Sequence, residues 1–147
     1  MQIQTKTMGT VEIDDAQKIL FPEGLFGFED MKEFALLDSE TKPFYYLQSI
    51  QESQLAFLIV DPFIFCQDYE VDIPDSNLAK IRIESPNEIL IFSIITAPKD
   101  GGEITANLQG PVIINKKARM AMQVISDDPR WTTKHSLLPK NQKEAAC

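Results

Sequence analysis

The stretch from Glu103 to Ile125, EITANLQGPVIINKKARMAMQVI, decides the fold. From Ile104 to Leu108 every second residue is apolar, which is the period of a strand with one buried face. The dipeptide Gly110-Pro111 then interrupts the strand, because proline donates no backbone hydrogen bond and glycine tolerates unusual dihedral angles. The β-branched run from Val112 to Ile114 is typical of a second, buried strand. The stretch therefore predicts two strands that meet at a corner.

Apolar runs of strand length recur along the rest of the chain, about eight to twelve residues apart, with polar turns between them. Pro74 followed by Asp75 and Ser76 predicts the start of a helix over residues 75–80. We therefore predict an all-β, mainly antiparallel fold, namely a small barrel-like or sandwich domain with one or two short helices. The predicted strands are Gln2–Thr7, Thr10–Asp14, Lys18–Phe21, Phe34–Leu37, Phe44–Ile50, Leu55–Val60 and Ile89–Thr96.

The composition is that of one globular domain, since 147 residues include 44% hydrophobic and 24% charged residues. The character of the chain changes after Ile125, where two prolines and few core-type residues follow. We predict a single β-rich domain over residues 1–126 and a C-terminal tail or appendage over residues 127–147. Trp131, or Leu137 with Leu138, is expected to anchor this tail.

The acidity belongs to the predicted domain, because residues 127–147 carry a charge of +1 within a total of −8. This balance argues against direct binding of nucleic acid, which requires cationic surface against the phosphates. It suits a basic protein partner, although acidity is also ordinary for solubility in the cytoplasm. The apolar runs are too short to span a bilayer, and Met1 begins a polar segment rather than a signal peptide. We predict a cytoplasmic protein that makes no membrane contact.

Residues for catalysis or metal binding are scarce. The single histidine, His135, lies in the predicted tail, and with Cys66 and Cys147 far apart in the chain it cannot readily complete a zinc site. The sequence contains no phosphate-binding loop and no dinucleotide fingerprint. We predict no enzyme activity, no cofactor, no metal and no small-molecule substrate. A hydrolase that uses two carboxylates stays open, because acidic residues are plentiful.

The segment Cys66–Ile73 carries a row of acidic residues. If it forms a strand, Asp68, Glu70 and Asp72 share one face, and Tyr69 lies on the other. One interpretation is an edge strand whose charges prevent aggregation. The other is a docking stripe for a basic partner, and the two are compatible because a charged edge can receive a partner strand.

Two further features could contact RNA. The cluster Lys116, Lys117 and Arg119 is basic, and Phe63 and Phe65 with the nearby tyrosine could stack on bases. Three cations on an acidic body favour a solvated turn instead, and core or protein-interface packing is favoured for the aromatic side chains. An oligonucleotide-binding β-barrel that contacts RNA directly is therefore the alternative hypothesis.

The loop Glu23–Phe28 holds two glycines and three large apolar side chains. Its G-x-x-G spacing could suggest a clamp for phosphate or RNA. Acidic residues follow it and no basic residue precedes it closely, so packing of its aromatic rings under the sheet is favoured.

The amino-acid sequence of several segments resembles that of the FliW family of flagellar assembly factors. TANLQGPVIIN in the opening stretch, ILFPEGLFGFED from Ile19, LQSI from Leu47 and AFLIVDPFIFCQDYEVDI from Ala56 carry the resemblance in order and spacing. Together they cover roughly residues 1–125. Several motifs in register are more specific than any one of them.

The resemblance implies a cytoplasmic regulator with a β-rich, barrel-like fold and no catalytic activity. It implies two protein partners, flagellin and the carbon storage regulator CsrA, an RNA-binding protein that represses translation of flagellin mRNA. In the family scheme the factor acts as a chaperone that holds flagellin until export, and the freed factor then binds and antagonises CsrA. Translation is thereby matched to flagellum assembly.

A hypothesis for the CsrA contact follows from charge. An RNA-binding protein must be basic, so an acidic ligand near its RNA site would place negative charge where phosphate lies. We expect Asp68, Glu70 and Asp72 to supply this field, with Tyr69 or Phe65 as neighbouring anchors.

Overall fold

The structure is a computed structural model that describes residues 1–98 and 101–137. Strands dominate the described residues, and the one α-helix among them, α1 (Asp75–Lys80), covers the residues predicted for it. Short 3-10 turns occupy Asp15–Gln17, Pro62–Ile64 and Pro86–Glu88. The strands are β1 (Gln2–Gln4), β2 (Thr10–Glu12), β3 (Lys18–Leu20), β4 (Glu33–Asp38), β5 (Tyr45–Ser49), β6 (Ala56–Val60), β7 (Ile89–Thr96), β8 (Thr105–Ala106), β9 (Val112–Asn115), β10 (Met120–Gln123) and β11 (His135–Ser136).

Seven strands close into a barrel in the order β7-β6-β5-β4-β3-β10-β9, and β9 returns to β7. All neighbours in this ring are antiparallel except β3 and β10, which are parallel and meet at the single pair Leu20–Met120. At this seam the backbone N–H of Leu20 donates to the carbonyl of Arg119 at 2.9 Å. The prediction of an all-β, mainly antiparallel, barrel-like domain with a short helix is confirmed.

The two strands predicted in the opening stretch are present as β8 and β9. β8 pairs with the end of β7 and β9 pairs with its beginning, so both lie along the same partner strand, and the segment with Gly110-Pro111 separates them. A further strand that the alternation did not predict, β10, follows the basic turn. Its burial explains the omission: Ala121 faces the barrel interior and Met122 packs on the outside against Ile81, so neither face is polar.

The core has an interior part and three outer parts. Alternate residues of the seven strands fill the barrel, among them Phe34, Leu47, Ile59 and Ile114. On the outside, the hairpin β1–β2 packs over β4 and β5, residues 71–83 cover β9 and β10, and a third cluster covers β6 and β7. Several strands are buried on both faces, and their sequences are therefore continuous apolar runs without alternation.

Residues 127–137 contribute to that third cluster. Trp131 and Leu137 are buried there, and β11 extends the sheet by pairing with β8. Leu138, the other predicted anchor, lies outside the described residues. The division into a domain over 1–126 and an appendage over 127–147 stays a prediction.

The loop Glu23–Phe28 differs from expectation. Leu25 is buried in the barrel interior, but Phe26 and Phe28 are exposed, so the prediction that all the rings of this loop lie in the core is wrong. The ring of Phe28 packs edge-on against Phe57 with 5.3 Å between centroids. The backbone turn between Leu25 and Phe28, which form an isolated bridge, directs the Phe26 side chain outward.

Candidate protein-interaction site

The acidic segment, residues 66–73, is not a strand. The N–H groups of Phe65 and Cys66 donate to the carbonyl of Pro62, and the N–H of Tyr69 donates to the carbonyl of Cys66. These bonds curl the chain through a turn before it runs out to Pro74, where α1 begins. The predicted edge strand is therefore wrong, because local turn bonds replace the ladder that its alternating pattern suggested.

The alternation of exposure nevertheless survives along the segment. Asp68, Glu70 and Asp72 are exposed, whereas Tyr69 is buried and Val71 is half-buried. The three predicted carboxylates are therefore exposed to solvent.

Tyr69 supports the acidic segment from below. Only 3% of it is exposed, and its hydroxyl donates to the carbonyl of Leu108 at 2.7 Å. Its ring packs edge-on against Trp131 with 5.0 Å between centroids, and burial raises the pKa of its hydroxyl. This side chain is buried and would have to leave the core to contact a partner, and its role as an anchor stays a prediction.

The other predicted anchor, Phe65, is half-buried and stacks on Phe44 with 6.3 Å between centroids. Its neighbours Phe63 and Ile64, in the turn that precedes the acidic segment, are more exposed. Together with Tyr45 and Phe92 they line a groove of about 440 Å³ beside the segment. The accessible apolar side chains near the carboxylates are therefore Phe63 and Ile64.

Arg130 modifies the charge of the acidic segment. Its guanidinium lies 2.6 Å from a carboxylate oxygen of Asp128 and 3.4 Å from one of Glu70, and it stacks over Trp131 at 4.7 Å. The hydrogen bonds from Arg130 hold the pKa of Asp128 below its usual range. Asp68 forms no ion pair with any described residue. Sequence reasoning missed this arginine because sixty positions separate it from Glu70.

The basic cluster forms a tight solvated turn between β9 and β10. The side-chain oxygen of Asn115 accepts from the N–H groups of Lys117 and Ala118, and Arg119 has a positive φ of 58°. Lys117 lies 3.9 Å from Glu88. This geometry explains the cluster as a turn, and it adds no support for RNA binding.

The part of the chain that the structure describes was also searched for metal sites and membrane-spanning helices. No group of three or more His, Cys, Asp or Glu side chains there could hold a metal ion. His135 lies in β11, opposite Ala106 of β8. Over the same residues, no helix has the length and apolar character needed to cross a membrane.

Comparison with known proteins agrees with this architecture. The model of the FliW protein family matches residues 2–137. The chain belongs to the FliW family. Flagellar assembly factor FliW of Treponema denticola is 50% identical over 138 residues, which are 94% of each chain, and that of Treponema pallidum is 46% identical over 99% of this chain and 97% of its own. A crystal structure of the flagellar assembly factor FliW superposes with a TM-score of 0.87 at 35% identity, covering 95% of this chain and 99% of that one.

Family membership therefore includes residues 126–137, which lie beyond the motifs that first suggested FliW. Trp131 and β11 fall within this added part. FliW proteins are flagellar assembly factors, and the chain has their fold over nearly its whole length.

Proposed function

We propose that this FliW-family chain is a cytoplasmic, non-catalytic flagellar assembly factor that binds flagellin and, once flagellin is exported, binds CsrA. Binding of CsrA relieves repression of flagellin mRNA translation, so the chain acts as chaperone and as translation regulator in turn. It touches no RNA, membrane or small molecule in doing so. Membership of a family named for flagellar assembly supports the first part of this proposal.

The acidic segment is the observation that carries the CsrA contact. Asp68, Glu70 and Asp72 point to solvent while Tyr69 is tied to the core beneath them, so the carboxylates are presented from a supported backbone. A protein that binds RNA must offer cations for the phosphates. Carboxylates near those cations attract the free protein and repel its RNA.

The backbone of the segment offers a second mode of contact. From Glu70 to Ile73 it makes no hydrogen bond to the backbone of any other described residue. A segment with unpaired backbone can accept a partner strand, whose N–H and C=O groups would pair with its own. The exposed side chains of Phe63 and Ile64 lie close enough to add apolar contact at one side.

Charge reversal tests the proposal. Glu70→Lys and Asp68→Lys should each weaken CsrA binding, with the on-rate falling first and the loss greatest at low salt. The measurement is surface plasmon resonance against CsrA over a salt series. Asp15→Lys, which makes the same charge change in the connection between β2 and β3, is the matched control and should bind like the wild type.

An equal affinity of wild type and both variants at every salt concentration would remove this segment from the interface. Gel retardation of flagellin mRNA by the chain alone addresses the alternative of direct RNA binding. We expect no retardation, and a salt-dependent shift would favour the alternative.

A further inference from the structure

The first half of β7 has an open edge. Residues 89–92 pair with β9 on one side, whereas β6 pairs on the other side only with residues 93–95. The N–H of Lys116 donates to the carbonyl of Glu88 at 2.9 Å, which fixes the alternation of the ladder towards β9. Backbone groups alternate in direction along an antiparallel strand, so Ile91 directs its N–H and C=O away from β9 and past the end of β6.

Pro62 explains why the ladder between β6 and β7 stops there. Continued by two residues, the register of β6 on β7 places Pro62 opposite Ile91, but proline has no N–H to donate. The carbonyl of Pro62 accepts instead from the N–H groups of Phe65 and Cys66, at 3.1 and 2.9 Å. No described residue forms a hydrogen bond with the N–H or C=O of Ile91, although this residue is half-buried. Peptide groups away from water normally have a partner, because an unpaired one costs free energy.

The open edge of β7 lines the groove of about 440 Å³ to which Phe63 and Ile64 also belong. Residues 89–92 all line it, although successive side chains of a strand point to opposite faces, so the groove runs along the backbone edge itself. Leu36 and Tyr45, which pack against the barrel interior, line it as well. Unpaired backbone groups surrounded by apolar surface are what an added strand requires.

Asp61 gives the groove its charge. Of the described residues that line the groove, Asp61 alone is charged, and it forms no ion pair with a described residue. Its carboxylate accepts from the N–H of Phe63 at 2.9 Å, which holds it at the end of β6. A strand that continues the line of β6 begins beside this carboxylate, and a lysine or arginine at that position would pair with it. The net charge of −8 disfavours an acidic segment.

We infer that this groove accepts an extended peptide segment of a partner protein, which adds to β7 as an antiparallel strand. The segment exchanges hydrogen bonds with both backbone groups of Ile91, places alternate apolar side chains over the barrel interior and carries a cation beside Asp61. A helix could cover the apolar surface but could not pair with the backbone of Ile91, because its own backbone groups are already bonded. The inference concerns the edge of the sheet and does not depend on which protein binds the acidic segment.

The test uses the full chain, isotope-labelled for NMR, and the synthetic peptide acetyl-Lys-Val-Thr-Val-Thr-Val-amide. At saturating peptide, hydrogen exchange of the Ile91 amide should slow by about tenfold or more, because a new hydrogen bond protects it. The control is the same peptide with N-methyl groups on both threonines. When the valines face the barrel interior, the threonine backbone faces β7, so this peptide cannot pair and should give no protection. Equal protection by both peptides, or none by the unmethylated one, would overturn the inference.

Variants of the chain locate the site. Ile64→Ser should weaken peptide binding by about tenfold in a chemical-shift titration, as loss of an apolar contact does. Ile125→Ser is the matched control, because Ile125 is 56% exposed against 53% for Ile64 and does not line this groove. Equal affinity of these two variants for the peptide would place the site elsewhere and overturn the inference.

Asp61→Asn tests the charge, since asparagine keeps a side-chain oxygen for the N–H of Phe63. This variant should bind the lysine peptide more weakly, mostly at low salt, and should bind a peptide with glutamine in place of lysine as the wild type does. An unchanged affinity for the lysine peptide at low salt would contradict the cation beside Asp61. Neither flagellin nor CsrA is a probe in these experiments, so their outcome is separate from that of the tests of the proposed function.

Discussion

The end of the barrel at the loop Glu23–Phe28, called the groove end because Phe26, Phe57 and Ile125 line a groove there, and the acidic segment are built in opposite ways. At the groove, Gly24, Gln123 and Gly110 join the loop to the sheet through close backbone contact and buried hydrogen bonds. In the acidic segment, the charged side chains stand in water and the backbone from Glu70 to Ile73 has no ladder. Hydrogen bonds between polar groups hold the groove end together. The acidic segment is held by buried apolar side chains, and its charged groups face solvent.

Because of this difference, we expect substitutions at the groove end to affect the stability of the fold and substitutions in the acidic segment to affect binding. The motifs that revealed the family, GLFGFED and TANLQGP, include Gly24, Phe26 and Gly110 of this hydrogen-bonded end, and Gln123 joins them from β10. Substitutions that remove the close backbone contact at Gly24 or the hydrogen bonds of Gln123 should therefore lower the stability of the fold. Substitutions among the acidic side chains should alter binding and leave the fold intact.

The largest loss is expected from Gly24→Ala. Its φ of +69° disfavours any side chain, and the new Cβ would press on the backbone of Phe28 and Glu29 at 2.6–2.7 Å. We expect the free energy of unfolding to fall by about 3 kcal/mol, measured by urea denaturation. Gly27→Ala is the matched control, because its φ is also positive but its Cβ would meet nothing within 4 Å. A loss as small as that of the control would show that the loop yields easily.

Gln123→Leu should follow in size. Leucine fills a similar volume but leaves the N–H of Phe26 and the carbonyl of Gly110 without their partner. We expect a loss of about 2 kcal/mol in the same denaturation assay, which is typical for buried polar groups left unpaired. Gln54→Leu, at an exposed site, serves as the control and should change stability little. Equal stability of the two variants would contradict a structural role for the Gln123 bonds.

Tyr69→Phe should cost less, about 1 kcal/mol, because a single hydrogen bond to Leu108 is lost and the ring remains. It should also change the response to alkali. Burial raises the pKa of Tyr69 in the folded chain, so above pH of about 10 the unfolded chain releases this proton first and stability falls as pH rises. In the phenylalanine variant this part of the alkaline loss should vanish. Identical alkaline melting curves would place the ionisation elsewhere.

The smallest effect on stability is expected from Glu70→Lys, whose side chain is 79% exposed. Its melting temperature should match wild type within the error of calorimetry, even though CsrA binding weakens. Exposed ion pairs such as the one with Arg130 contribute little to folding. A clear drop in melting temperature would mean that the acidic segment depends on this pair, and the contrast with the groove end would be lost.

Much of the scaffold was predictable because local pattern and local structure coincide there. The strands β4 to β7 lie where the apolar runs predicted them, and the helix begins directly after Pro74 as predicted, although Asp75 and Ser76 lie within it and give it no side-chain cap. The candidate residues Asp68, Glu70 and Asp72 were found for the same reason, since alternation records which side chains face water. Strand β10 escaped prediction because another part of the chain covers each of its faces.

By itself the sequence determined the β-rich class, the order of most strands, the acidic body and membership of the FliW family. Tertiary structure alone decided that residues 66–73 lie outside the sheet, that Tyr69 is buried, that Arg130 meets Glu70 and that Phe26 faces water beside an open groove. The physical reason is the separation along the chain between the residues that interact. Periodicity reports how a residue relates to its neighbours along the chain, whereas hydrogen-bond partners and covering surfaces come from segments tens of residues away.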